Sequence, residues 1–135
     1  MPDHDRFLWV YFKLAKISHQ KKQVIPRNKF LILMAVEACK AGCLEIANRC
    51  MNIVINHNHK HLLNNYENFA DAMRDDDFAL FVDSLESQFC NREQGEHLFV
   101  QAEKKSKSDF EEPAESELAS TILEQMGDQD WQVTL

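Results

Sequence analysis

The sequence predicts an all-α fold: a compact bundle of about six helices, followed by an acidic C-terminal tail with one short amphipathic helix. Three observations predict it. Only three Gly and three Pro occur in 135 residues, too few for the many turns of an all-β chain and consistent with long helices. Apolar residues recur at helical spacing in successive segments separated by short polar breaks. At 44 % hydrophobic and 27 % charged residues, the chain can bury a core without disulfides or metal.

Asp3 or Asp5 can cap a first helix over roughly residues 5–23. Phe7, Val10, Tyr11, Leu14 and Ile17 form its stripe, and Leu8, Trp9 and Phe12 widen that stripe to most of the circumference. A helix apolar nearly all round belongs at the centre of a fold or in a subunit interface. Lys16, Lys21 and Lys22 gather towards its C-terminal end, where cations suit the helix dipole. Pro26 is expected at the first position of a second helix, which runs to about Lys40.

Ala41-Gly42 breaks that helix. Cys43 to about Asn56 makes a third, with Ala47, Cys50, Met51 and Val54 on one face. Asn64 or Asn65 is the expected start of a fourth, carrying Tyr66, Phe69, Ala70 and Met73. The run Asp75-Asp76-Asp77 ends it and opens a fifth, with Phe78, Phe81, Val82, Leu85 and Phe89 at helical spacing. Asn91 followed by Gln94 has the form of a capping box for a sixth helix to about Lys104, with Leu98, Phe99 and Ala102 as its stripe.

The polar run 105–115 reads as a solvated linker, giving a helical domain 1–107, a linker 108–115 and a tail 116–135. Ser116 is the expected cap of the tail helix. Its apolar face is Leu118, Ala119, Ile122, Leu123 and Met126, and Gly127 is its stop. Trp131, Val133 and Leu135 follow in an alternating, extended pattern. So many large apolar residues in register imply that the tail docks on something.

Charge is polarised along the chain. Residues 1–60 carry ten Lys/Arg against four Asp/Glu, residues 61–107 carry five against ten, and residues 108–135 carry eight acids and no Lys or Arg. The tail therefore supplies the whole net charge of −7. Such a tail repels nucleic acid and acidic membranes and is drawn to basic protein surfaces, so neither nucleic acid nor membrane is an expected partner. The longest apolar run, Phe30 to Val36, is far short of the roughly 20 residues that span a bilayer. The N-terminus has no basic-then-apolar signal pattern, so a cytoplasmic location is expected. There Cys39, Cys43, Cys50 and Cys90 are expected to be free thiols.

Leu31, Met34, Ala35, Ala38, Gly42, Ala47, Met51 and Val54 carry a resemblance over residues 28–61 to a tetratricopeptide-repeat hairpin. They fall where that repeat places its large, small and glycine positions, which imply two closely packed antiparallel helices around a tight turn. Stepping 34 residues onward puts Phe69 and Phe81 at positions that call for small residues. The resemblance therefore implies one tetratricopeptide-like hairpin within the domain and not a repeat array.

Three groups invite a chemical reading. Cys39, Cys43, Cys50 and His57, with His59 and His61 beyond, are candidate ligands for a metal- or redox-responsive protein. Their spacing lacks the short pairs of structural zinc sites. Within this set Cys50, His57 and His61 are the combination to watch. The more economical reading of NHNHKH (residues 56–61) is an interhelix turn, with Asn58 as a left-handed cap and His57 at a helix C-terminus. Asp75, Asp76 and Asp77 lack the alternating ligands and glycine of a calcium loop and read as a helix N-terminus. No phosphate-cradling glycine loop or dinucleotide fingerprint is present.

The expectation is a non-enzymatic interaction, scaffold or regulatory module without cofactor. Leu118, Ile122, Leu123, Met126 and Trp131 of the tail are its contact residues. They are expected to dock on their own chain, on the mate in a homodimer, or on a separate protein partner.

Overall fold

The computed structural model describes residues 4–105, 113–128 and 131. At its centre lie α1 (His4–Gln20) and α2 (Val24–Lys40), packed antiparallel. Every residue from Leu8 to Ala15 in α1 is buried, and so is every residue from Phe30 to Ala38 in α2. A helix with no solvent face must be covered all round, and the remaining helices divide that work. α3 (Leu44–His57), α4 (Phe69–Met73) and α5 (Asp76–Gln88) pack on α2. α6 (Arg92–Lys105) and α7 (Glu115–Asp128) pack on α1, and α7 also touches α3.

The two turns that fold α1, α2 and α3 back on one another close in the same way. At the end of α1, the Gln23 amide donates to the Ser18 carbonyl (2.8 Å) and the Lys22 amide to the His19 carbonyl (3.0 Å). At the end of α2, the Cys43 amide donates to Ala38 (2.7 Å) and the Gly42 amide to Cys39 (3.1 Å). Each turn needs one residue with left-handed backbone. Gly42 takes φ 84° without steric penalty, whereas Lys22 takes φ 61° with a side chain attached.

The α2–α3 hairpin brings Ala35, Ala38 and Ala47 into the core at full burial. The expected face of α3 is the buried one: Ala47, Cys50, Met51 and Val54, joined by Ile46. The capping box of α6 forms in both directions at 2.9 Å, from the Asn91 amide to Gln94 Oε1 and from the Gln94 amide to Asn91 Oδ1. Asp75 caps α5, its Oδ1 accepting from the Asp77 amide (2.9 Å) while its Oδ2 accepts from the Tyr66 hydroxyl (2.7 Å).

Six expectations are corrected. α1 stops at Gln20, because the left-handed Lys22 cannot continue a helix. α2 begins at Val24, so Pro26 is its third residue. The missing N–H does no harm there, because first-turn amides have no intrahelical acceptor. The chain leaves α3 through an extended Asn58 (φ −135°), not a left-handed one. The fourth helix does not start at Asn64 or Asn65. Leu62–Asn65 is a 3-10 turn, and α4 starts at Phe69 with Asn68 Oδ1 accepting from the Asp71 amide (2.9 Å). The buried line of α6 runs through Gly95 and Phe99, while Leu98 is 41 % exposed. A sequence reading passes over Gly95 because it has no side chain to count. A Cβ there would lie 3.0 Å from the Tyr11 ring, so the hydrogen is what lets α6 approach α1.

α7 begins at Glu115, which makes Ser116 its second residue and not its cap. Residues 108–112 of the expected linker lie outside the described residues, as do Val133 and Leu135. Among the described residues, no helix is long and apolar enough to cross a membrane.

Candidate functional site

The tail has a seat on the body of the domain. Leu118, Ile122 and Met126, spaced by four on α7, are buried at 3 %, 0 % and 4 % exposure, and Leu123 is half-buried beside them. They face the surface that α1 and α3 offer together. Two side chains of the body secure the edges. Lys16 Nζ donates to Gln125 Oε1 (3.3 Å), and Arg49 Nη1 donates to the Leu123 carbonyl (3.4 Å). Among the described residues no ion pair joins α7 to the body, and Glu117 and Glu124 are exposed. The described contacts of the acidic helix are therefore apolar packing and hydrogen bonds from cationic donors to neutral acceptors.

Beyond α7 the chain is clasped at Trp131. The indole Nε1 donates to the Met126 carbonyl (3.1 Å), its rings lie 5.2 Å from the His19 imidazole, and its carbonyl accepts from Arg27 Nη1 (2.7 Å). Arg27 is fully buried. Its other acceptors are Asn28 Oδ1, reached by Nε (3.1 Å) and Nη2 (2.8 Å), and His19 Nδ1, 3.0 Å from Nη1. Asn28 is in turn 2.9 Å from His57 Nδ1 at the end of α3. Burial lowers the Arg27 pKa from its ordinary value, because solvent is withdrawn from the guanidinium. The cation is thus held by an amide oxygen, an imidazole and a carbonyl of the tail. The sequence carries one sign of this. Arg27 lies in the first turn of a helix, where a cation opposes the helix dipole, and a residue so placed needs a tertiary reason.

At the opposite end of the bundle a second buried charge is balanced. Glu37, 4 % exposed, accepts from Arg92 Nη2 on Oε2 (2.9 Å) and from Arg92 Nε on the same oxygen (3.3 Å), and its Oε1 lies 2.9 Å from His4 Nδ1. α6 is fastened to α1 and α2 by this pair, by Arg6 with Glu96, and by Gly95 against Tyr11. Burial, the largest cause, pushes the Tyr11 hydroxyl well above its usual range. Sequence reasoning missed Glu37. A lone acid within a buried run is the signal that was available.

The candidate metal ligands do not assemble. Cys50 is fully buried in the core, and His57 is exposed with its Nδ1 against Asn28. His61 Nδ1 accepts the Leu63 amide (3.1 Å) while the ring packs edge-on to Phe81, and burial lowers its pKa. Among the described residues no three His, Cys, Asp or Glu side chains are grouped so as to hold a metal ion. NHNHKH ends α3 at His57 and continues as a turn fixed by polar side chains: Asn58 Oδ1 accepts the Lys60 amide (3.1 Å), and Asn64 Nδ2, just beyond the stretch, donates to the His59 carbonyl (2.9 Å). All four cysteines are free, and burial raises the pKa of each, Cys90 to about 11. A reactive thiol needs the opposite shift.

No protein-family model matches the chain, and no curated protein or solved structure matches it either. The tetratricopeptide resemblance therefore rests on the residues of the α2–α3 hairpin alone.

Proposed function

We propose that the protein is a non-enzymatic interaction module whose α7 is a detachable ligand for its own domain. On release of α7, the seat on α1 and α3 receives an amphipathic helix of a protein partner or the α7 of a second copy. The observation that carries this reading is the seat itself. Three large side chains at helical spacing fill it, and a buried arginine closes it on a backbone carbonyl. A helix laid by its apolar face into such a seat matches the helix-in-groove mode of peptide recognition. Tethering keeps it there at an effective concentration of about millimolar, so an external helix must bind more tightly or arrive with the tail displaced. The tetratricopeptide-like hairpin supports the same class of function, because such hairpins present ridged helical surfaces.

Deleting residues 108–135 is the test. The reading expects the shortened chain either to self-associate or to bind a synthetic peptide of residues 113–135 in trans. A shortened chain that stays monomeric and ignores that peptide would contradict it.

A further inference from the structure

Beside the tail seat, with α7 docked, the surface carries a second concave feature. It is a groove of about 900 Å³ between the C-terminal half of α1, the start of α2, the α5–α6 junction and the inner side of α6, and Gln125 of α7 forms one edge. Its floor is apolar: Ile17, Phe30, Phe89 and Leu98 line it, and Leu98 is the most exposed of them. Its rim is lysine and amide. Lys13, Lys16 and Lys21 line it with Gln20, Gln23, Gln101 and Gln125, and among the described residues no Asp or Glu does.

Two lysines at or near the groove sit over aromatic faces. Lys16 Nζ sits 5.5 Å from the Phe12 ring centre, and Lys29 Nζ sits 5.1 Å from that of Phe89, which is itself part of the floor. Ammonium groups held this way keep their charge near the groove with little freedom left to lose on binding. The whole molecule carries −7 and repels anions at long range, so attraction of an anionic ligand must be local to this groove.

We propose that this groove binds an acidic segment of a partner protein bearing large apolar side chains. The apolar floor takes Leu- or Phe-sized anchors, Lys16 and Lys21 take the carboxylates, and the side-chain amides of Gln20 and Gln23, with donor and acceptor atoms, take the peptide backbone. This names a partner class for the interaction-module reading and rests on it, but it does not require α7 to leave its seat. The two surfaces share Gln125, and that residue lets occupancy of one influence the other.

The test uses the full chain and three synthetic probes of equal length: an acidic peptide with Leu and Phe anchors, a basic peptide with the same anchors, and an acidic peptide with the anchors replaced by Ser. Binding is read by fluorescence anisotropy, with amide exchange of α7 followed in the same samples. The expected result is saturable binding of the first probe only, at least about tenfold tighter than either control. Binding should weaken by a similar factor in Lys21→Glu and in Leu98→Asp, both at exposed positions, with α7 protection retained. Equal binding of acidic and basic probes, or no binding of the first, overturns the proposal. So does concentration-dependent self-association of the full chain abolished by Leu98→Asp. Binding that strips α7 from its seat also overturns it and leaves the detachable-tail reading standing. Failure of the tail-deletion experiment with specific groove binding would do the reverse.

Discussion

At one end of the bundle Arg92 meets Glu37, and at the other Arg27 meets the carbonyl of Trp131. Both arginines tie a C-terminal element to the central α1–α2 pair, yet the chemistry differs. Arg92 is partly exposed and reaches in to a buried carboxylate, giving a charge-assisted pair that fastens α6. Arg27 is wholly buried and is received by neutral acceptors, one of which belongs to the tail. When α6 leaves, the buried Glu37 carboxylate loses its guanidinium and keeps His4. When the tail leaves, Arg27 loses one acceptor and gains water. On the proposed reading, the first contact is the permanent one and the second is the one that opens.

Removing Arg92 should break the permanent end. Arg92→Ala leaves buried Glu37 with His4 but without its guanidinium and is expected to cost about 3 kcal/mol in global stability, read by urea denaturation. A loss below about 1 kcal/mol would mean the pair is not holding α6. Ile122→Ala, in the tail seat, removes a fully buried side chain worth about 2–4 kcal/mol. That loss should appear as undocking of α7, with faster proteolysis in the tail and a nearly unchanged urea midpoint for the core.

Gly95→Ala returns to the permanent end at smaller scale. The new methyl meets the Tyr11 ring at 3.0 Å and the Cys90 sulfur at 3.6 Å. Overpacking is expected to outweigh the gain in helix propensity and to destabilise by about 1–2 kcal/mol in thermal or urea melts. Smallest is Lys22→Gly in the turn after α1. It relieves a left-handed lysine and should stabilise by about 0.5–1 kcal/mol, against a chain-entropy loss of similar kind but lesser size.

The same contrast explains what was legible beforehand. Helical periodicity and local hydrogen-bond chemistry can be read from neighbours in sequence, so α3, α5, the Asn91–Gln94 box and the apolar face of α7 lie where the spacing places them. Boundaries set by tertiary contacts were not legible. α4 starts at Phe69 because its amide is taken by Asn48 Oδ1, 21 residues away (2.9 Å), and nothing near Asn64 announces that. Charged residues read as surface by default, so Arg27 and Glu37 stayed hidden. Their partners stand 104 and 55 residues off. In the tail seat the packing residues were readable and the clasp was not, because Trp131 is recognisable as an anchor while the arginine that holds its carbonyl is not. The histidine stretch is the turn its position implies, but Asn58 is extended and not left-handed, and it shapes the turn through its side chain, which accepts the Lys60 amide.

The central claim is that α7 opens independently of the core, and native-state hydrogen exchange measures that opening directly. Amides of α7 are predicted to exchange at least about 100-fold faster than those of Leu31–Ala38 in α2, through a local opening insensitive to low urea. In Arg27→Met their protection should vanish while that of α2 persists. If α7 and α2 instead exchange with the same free energy and the same urea dependence, the tail is a structural part of the core and the account is contradicted.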